Sequence, residues 1–225
     1  MPMHQARFPG ESLFDRVARA VCRAGVLPRK ELYESWETAR RTRRRFRGGR
    51  VLDLACGHGL VAHLMLLLDN RSEQALAVDT RIPDSARALS AALVQSWPRL
   101  ENRVVYHSKS LSSVAAGPGD ILVSAHACGP LTDQVLEKAV AARARVAVLP
   151  CCHDMDQCPT EGLEAWMDSD LAIDAVRVIR LRMAGYRVWA GKIPGQITPK
   201  NRLILGQPVA GKVLPGDFFP EPAFP

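Results

Sequence analysis

Five short apolar runs alternate with helix-like stretches in the middle of the chain. The stretches 59–68, 83–96 and 130–142 have apolar residues at helical spacing and separate runs that read as strands. The runs are RVLDLA (50–55), QALAVD (74–79), RVVYH (103–107), DILVSA (120–125) and RVAVLP (145–150). This alternation predicts parallel strands with crossover helices on both faces of a sheet. Two more strands, YRVWAGKI and NRLILGQ, are predicted to close it.

Helical periodicity also marks the N-terminal part and the segment before the closing strands. From Glu11 to Ala24 the apolar residues form one stripe, and a second helix is predicted from near Pro28 to Gly48. Residues 160–184 predict a longer helical region, whose second half has an apolar face at Leu171, Ile173, Val176, Ile179 and Met183. The predicted fold class is α/β: a Rossmann-like, doubly wound, seven-stranded sheet with an N-terminal helical extension.

Length and composition are those of a chain with a sizeable core. The chain has 225 residues, of which 47% are hydrophobic, and we expect a helical extension (1–48), a main domain (49–210) and a Pro-rich tail (211–225). Six unevenly spaced cysteines favour a reducing, cytoplasmic compartment over a disulfide framework. No run approaches ~18 consecutive apolar residues, so neither export nor membrane spanning is expected.

Positive charge is concentrated in one segment of the chain. The net charge is +7, and RRTRRRFRGGR (40–50) holds seven arginines and no acid. Such a cluster predicts a surface for nucleic-acid phosphates or an acidic partner, with Arg43, Arg44 and Arg45 as candidate RNA contacts. The alternative is a solvated helix end, where cations lie near the negative pole of the helix dipole.

A glycine turn follows the first predicted strand of the sheet. In VLDLACGHGL (51–60), Asp53 precedes Gly57 and Gly59, which lie where the chain must turn into a helix. Glycines let the backbone approach a ligand closely, and a helix N-terminus offers free N–H groups to an anion. Asp79, at the end of the next strand, lies at the distance expected of a ribose-binding acid. An ordinary tight turn is the alternative, and the glycines alone also fit a dinucleotide.

Asp53, four residues before Gly57, gives the sequence its family resemblance. Over roughly 50–206 the chain resembles the class I S-adenosylmethionine-dependent methyltransferases, whose first motif is an acid followed by a G-x-G turn. The resemblance implies the class I methyltransferase fold and S-adenosylmethionine as cofactor. It implies that Asp79, followed by Thr80, binds the ribose hydroxyls, and that the methionine part lies against the loop of Asp53, Ala55, Cys56, Gly57 and Gly59.

Two further motifs follow the fourth and fifth predicted strands. AHACGPLTD (125–133) contains H-x-C-G, and LPCCHDMDQC (149–158) contains C-C-H, at the sheet edge where open α/β proteins bind ligands. Together they resemble the methyltransferase branch that includes the eukaryotic tRNA 2′-O-methyltransferases acting on the acceptor stem. Asp154 stands where those enzymes usually carry a second histidine, and their N-terminal zinc-finger elements are absent from this sequence.

These motifs supply the candidate catalytic residues. Methyl transfer from a sulfonium needs positioning, a dry pocket and sometimes a base, and it needs no metal. His126, Asp133, Cys151 and His153 are the predicted lining, with His126 also touching the cofactor and His153 suited to accept a proton. Helix capping by His126 and Asp133, and a buried apolar role for the cysteines, are the alternatives.

No metal is predicted, although the thiol-rich loop leaves a zinc site open. Such a site would use Cys151 or Cys152 with His153, Cys158 and Cys128. Adjacent cysteines argue against it, because they rarely direct both sulfurs to one tetrahedral ion.

Three functional hypotheses follow from these observations. The first is a methyltransferase acting on RNA, with a tRNA ribose hydroxyl favoured, in which Arg40 to Arg47 bind phosphates beside the catalytic edge. In this hypothesis Lys200 and Asn201 of ITPKNR also lie near the substrate. Asn201 alternatively holds the hairpin between the last two strands. The second is a methyltransferase of a small molecule or protein, and the third is a non-catalytic RNA-binding module with the cofactor fold. The oligomeric state is left open.

Overall fold

A seven-stranded mixed sheet runs through the protein, for which a computed structural model describes residues 2–209. Strands β1 to β5 are parallel, β7 is antiparallel to both of its neighbours, and the order across the sheet is β3-β2-β1-β4-β5-β7-β6. The predicted α/β class is confirmed, including the two closing strands. The strands are β1 (Val51–Leu54), β2 (Ala75–Asp79), β3 (Val104–Ser108), β4 (Ile121–Ser124), β5 (Arg145–Val148), β6 (Tyr186–Lys192) and β7 (Arg202–Pro208).

Six α-helices of the described part of the chain cover the two faces of the sheet. Four pack in one apolar cluster and two lie on the opposite side. In β1, Val51 belongs to the first cluster whereas Leu52 and Leu54 belong to the second, as the period of two along a strand requires. Within residues 2–209, no helix is both long and apolar enough to cross a membrane. The helices are α1 (Leu13–Ala24), α2 (Arg29–Arg45), α3 (Leu60–Leu67), α4 (Ser85–Ser96), α5 (Pro130–Ala142) and α6 (Ser169–Met183).

Helices α1 and α2 share the core of the sheet. Ser12 caps α1 by accepting a hydrogen bond from the Asp15 amide (3.1 Å), and α1 ends at Gly25 in the left-handed conformation. Leu32 of α2 is buried in the same cluster as Met65 of α3. The domain boundary at residue 48 stays a prediction, and both the boundary at residue 210 and the tail 211–225 lie outside the described residues.

The predicted apolar face of α6 is wrong in part. Ile173 and Val176 are buried, but three members of the expected face are 42%, 49% and 73% exposed, namely Leu171, Ile179 and Met183. The buried face instead carries the ionised pair Asp174 and Arg177, which no apolar periodicity reveals.

The first part of the predicted 160–184 helical region is also different. It contains only a 3-10 turn at Leu163–Ala165, because Asp168 caps the start of α6 by accepting from the Leu171 amide (3.3 Å).

Candidate active site

A cavity of about 410 Å³ lies at the carboxyl edge of β1, β2 and β4. Its walls come from the loops that follow these strands and from the N-terminal half of α2, and they include Asp53, Gly57, Asp79, His126 and Cys128. Ligand sites in proteins commonly occupy about 300–1,000 Å³. The predicted cofactor loop and the H-x-C-G motif therefore share one cavity of suitable size.

The turn after β1 has a left-handed backbone at three of its five residues. Ala55, Gly57 and Gly59 have φ angles of 55°, 51° and 73°. A β-carbon on Gly59 would lie 2.8 Å from the ring of Tyr106, whose hydroxyl donates to the carbonyl of His58 (2.9 Å). A β-carbon on Gly57 would meet no atom within 4 Å. Gly59 thus allows the loop to pack on the sheet, whereas Gly57 leaves space for a ligand beside the loop.

The carboxylates of Asp53 and Asp79 hold this turn in place through hydrogen bonds to backbone amides. Asp53 is buried and accepts from the Ala62 amide (2.9 Å), so it holds the first turn of α3. Burial, reinforced by the charge of Asp79, raises the pKa of Asp53 well above its usual value. Asp79 Oδ2 accepts from the Gly57 amide (3.0 Å), and Thr80 and the Arg81 amide donate to Oδ1, both at 3.4 Å. Asp79 therefore ties the end of β2 to the glycine turn.

His126 of the H-x-C-G motif faces a buried glutamate of α2. Its Nε2 lies 3.8 Å from Glu34 Oε2, and neither buried atom has a hydrogen-bond partner among residues 2–209. Burial lowers the pKa of His126 from its usual value of 6.5 and raises the pKa of Glu34, so the imidazole is neutral at pH 7. His126 also lines the cavity, which places an uncharged proton acceptor at its wall.

No pattern in the sequence predicts the burial of Glu34. Lys30 lies four residues earlier and 3.6 Å from its carboxylate, a spacing that is typical of a solvent-exposed helix pair. The structure instead buries the Glu34 side chain to 1% exposure, because α2 packs across the carboxyl edge of the sheet.

The C-C-H loop meets the H-x-C-G loop through its cysteines. Cys128 Sγ lies 3.2 Å from Cys151 Sγ and 3.4 Å from Cys152 Sγ. The Gly129 amide donates to the carbonyl of Cys152 (3.0 Å), which joins the two backbones. Burial raises the pKa values of Cys128 and Cys151 above the usual thiol value. Because Cys128 lines the cavity and contacts Cys151, Cys151 lies beside the cavity.

Asp133 and His153, two predicted catalytic residues, lie in an ion-pair network. Arg177 is 1% exposed and donates to Asp133 (2.7 Å) and Asp174 (3.1 Å). His153 Nε2 bonds to Asp174 (3.0 Å), which also accepts from Arg202 (2.6 Å). This arrangement, the Arg177 network, corrects the expectation that Asp133 and His153 line the pocket, because their polar atoms are turned to buried charges on α6.

The arginine cluster is divided between the core and the far edge of the sheet. Arg43 is 2% exposed and donates to Met65 O (2.9 Å) and Ser72 Oγ (2.7 Å), so it is not available to phosphates. Arg44 and Arg45 are exposed, but α2 ends where β1 begins, at the amino edge opposite the cavity. The expectation that the cluster lies beside the catalytic edge is therefore wrong.

Lys200 and Asn201 lie at the carboxyl edge, where β7 begins beside the end of β5. Lys200 forms an ion pair with Asp170. Asn201 Nδ2 donates to the carbonyl of Ile193 (3.1 Å), which holds the hairpin between β6 and β7. Asn201 thus has the structural role that was left open as an alternative.

Fold and site together define a class I methyltransferase. Residues 30–157 match the family described as a methyltransferase domain, which is more than half of the chain, and the chain belongs to this family. It is an S-adenosylmethionine-dependent methyltransferase domain.

Solved structures share the fold at low sequence identity. The S-adenosylmethionine-dependent O-methyltransferase of Thermotoga maritima is 16% identical, with a TM-score of 0.53 over 90% of this chain and 73% of that chain. The S-adenosylmethionine-dependent methyltransferase SibL is 20% identical, with a TM-score of 0.52 over 91% and 65%. A protein assigned as an rRNA methylase in Clostridium thermocellum is 14% identical, with a TM-score of 0.52 over 78% and 96%.

Curated relatives are much longer proteins. A glutathione S-transferase C-terminal domain-containing protein of Xenopus laevis is 27% identical over 49% of this chain and 16% of its own length. Its homolog in Drosophila melanogaster is 27% identical over 71% of this chain and 33% of its own length. The chain thus spans a third or less of the length of these relatives.

The residues of the cavity fit S-adenosylmethionine. The open space beside Gly57 admits a ligand against the loop, and the carboxylate of Asp79 lines the cavity as an acceptor for hydroxyl groups. The N-terminus of α3 faces the same loop and favours a carboxylate. Asp79 would hold the ribose and the glycine turn the methionine part, and the bound cofactor would supply an electrophilic methyl group on a sulfonium.

Proposed function

We propose that this protein methylates RNA, with a tRNA ribose 2′-hydroxyl as the favoured acceptor. The observation that carries the proposal is the meeting of the H-x-C-G and C-C-H loops beside the cofactor cavity, with Cys128 and Cys151 sulfurs 3.2 Å apart. These two motifs are the ones that resemble the tRNA 2′-O-methyltransferase branch. The fold similarity to an assigned rRNA methylase is compatible with this substrate class.

His126 is the proposed general base. Its Nε2 is turned toward Glu34, so Nδ1 is the nitrogen available to accept the proton of an attacking hydroxyl. The hydroxyl oxygen would form its bond to the methyl carbon while the bond from that carbon to the sulfonium sulfur breaks and the sulfur keeps the electron pair. His126 would take the hydroxyl proton, and the carboxylate of Glu34 would stabilise the resulting imidazolium. Asp133 and His153 are not assigned this step, because both are engaged in the Arg177 network.

Replacing His126 by alanine should lower kcat by about 100-fold, since a positioned base contributes roughly 10²–10⁴-fold. In the wild-type enzyme the acid limb of the kcat profile should lie below pH 6.5, because burial lowers the pKa of His126, and the variant should lose that limb. Single-turnover rates measured from about pH 5 to about pH 8, the range over which histidine titrates, test both effects.

Glu34→Gln tests the positioning role of the buried glutamate. It removes the charge and keeps the shape, so it should shift the acid limb to lower pH while leaving cofactor affinity unchanged. An unchanged kcat in the His126→Ala variant would contradict the role of His126 as general base.

Cations at the carboxyl edge are the proposed RNA contacts. Arg81 is exposed two residues after Asp79, and the Lys30 side chain is 55% exposed beside the cavity wall. Lys200 lies at the same edge. These side chains lie at the edge of the sheet that holds the cavity, whereas Arg44 and Arg45 lie at the opposite edge.

The substrate class is tested by transfer of labelled methyl groups into total RNA, protein and small-molecule extracts. We expect ribonuclease-sensitive label, and Arg81→Glu should reduce kcat/KM for RNA by about tenfold and flatten its salt dependence, because one phosphate contact is lost. The double variant Arg44→Glu with Arg45→Glu is the matched control and should stay within about threefold of wild type at the same ionic strength.

Other patterns of labelling would decide for the alternatives. Label in protein or in small molecules alone would favour the second hypothesis. RNA binding without any label transfer would favour a non-catalytic module.

A further inference from the structure

We propose that Cys128, Cys151 and Cys152, which we call the thiol cluster, bind a zinc ion at the rim of the cofactor cavity. The three sulfurs come from two loops at the carboxyl edge, Cys128 after β4 and the adjacent pair after β5. They lie within 4.8 Å of one another. The ion would be held by thiolates alone among the described residues.

The spacing of the sulfurs fits one tetrahedral ion. Zinc–sulfur bonds of about 2.3 Å at the tetrahedral angle separate two sulfurs by about 3.8 Å. Cys128 Sγ lies 3.2 Å and 3.4 Å from the other two sulfurs, and no pair in the thiol cluster exceeds 4.8 Å. Shifts of up to about 1 Å, within the reach of side-chain rotation, would bring the three sulfurs onto one ion.

The adjacent cysteines can share an ion because the third ligand comes from another loop. The Gly129 amide holds the carbonyl of Cys152 at 3.0 Å, so Cys128 is fixed opposite both sulfurs. The other ligands considered from the sequence lie elsewhere. Cys158 Sγ contacts Asp133 (3.5 Å), and His153 bonds to Asp174 in the Arg177 network.

Exposure of the thiol cluster leaves a fourth position open. Cys128 and Cys152 are exposed and Cys151 is half-buried, so an ion there can take water or a substrate oxygen as its remaining ligand. Structural zinc sites are closed by four protein ligands, whereas sites that act on a ligand keep one position free. Binding converts three thiols to thiolates, releases three protons to the solvent and changes no oxidation state.

Metal content tests the site without cofactor, RNA or turnover, so its result is independent of the proposed function. The reduced protein is stripped with a chelator, reloaded with Zn²⁺ and measured by mass spectrometry, and Co²⁺ is titrated as a spectroscopic probe. We expect roughly one ion per chain and a thiolate-to-cobalt charge-transfer band whose intensity corresponds to three thiolates. That intensity reports the ligand set in the wild-type protein, without any variant.

Cysteine variants identify the ligands. Cys128→Ser and Cys152→Ser should each lose the bound ion, with far-UV circular dichroism showing that the variants stay folded. Cys22→Ser, on α1 and not a member of the thiol cluster, should keep it. A reloaded protein without metal, a band of fewer than three thiolates, metal retained in Cys128→Ser, or a Cys128–Cys151 disulfide under reducing conditions would each overturn the proposal.

Discussion

Replacing Asp79 by alanine should weaken S-adenosylmethionine binding by about 100-fold, because two charge-assisted hydrogen bonds to ribose hydroxyls are lost at about 1.5 kcal/mol each. The same carboxylate accepts from the Gly57 amide at 3.0 Å, so the variant also loosens the glycine turn. Isothermal titration calorimetry of the purified protein measures the dissociation constant, and thermal unfolding shows whether the fold is retained.

Two further variants separate the ribose contact from the turn. Asp79→Asn preserves size and one acceptor oxygen, and should lie between wild type and Asp79→Ala. Asp84→Ala is the matched control, because Asp84 stands at the cap of α4 at the same edge and makes no capping hydrogen bond. Its cofactor affinity should change by less than about twofold. Equal affinities in Asp79→Ala and wild type would contradict the assignment of Asp79 to the cofactor.

Replacing Arg177 by methionine should lower the free energy of unfolding by about 3–5 kcal/mol, since removing one partner leaves buried charges uncompensated. Asp133 would lose both of its hydrogen bonds from the guanidinium, and Asp174 would lose one of its three charged partners. Urea denaturation measures the change. Arg180→Ala, three residues along α6, removes an exposed pair with Glu161 and should cost less than about 0.5 kcal/mol.

The pH dependence of the free energy of unfolding is a second test of the Arg177 network. Burial alone would raise the pKa of Asp174, but hydrogen bonds from His153 and Arg202 outweigh it and lower the pKa below the usual 3.8. The corresponding stabilisation is fully present above that usual value and is lost as the pH falls through the lowered pKa. Asp174→Asn should therefore lose stability at pH 7 and flatten the acid unfolding curve. An unchanged acid unfolding curve in Asp174→Asn would show that Asp174 does not contribute to the pH-dependent stability.

The sheet and the glycine turn were predictable because their signals are local. Buried parallel strands are continuous apolar runs, and Asp53, Gly57 and Asp79 fall at fixed positions relative to them. Burial of polar residues was not predictable, because it depends on partners that are distant in sequence. The buried guanidinium of Arg43 is satisfied by Met65, Ser72 and Asp69, which lie 22 to 29 residues later in the chain.

The same limitation explains the other differences in the site. Asp174 and Arg177 occupy positions that periodicity would give to apolar side chains, and their partners come from α5 and β7. The convergence of Cys128 with Cys151 required the register of β4 on β5, in which Ser124 pairs with Val148. Sequence spacing placed both motifs at one edge but could not say which side chains face each other.

Helix α2 is both a wall of the cavity and a part of the core. Its 17 residues span about 25 Å, from Glu31 and Ser35 at the cavity to Arg44 at the opposite edge. The region that matches the methyltransferase family begins inside this helix, at residue 30. A fragment starting at β1 would keep all seven strands and still lack Glu34 and one side of the cofactor cavity. In this protein the smallest unit that encloses the cavity is therefore larger than the sheet, and it starts before the first strand.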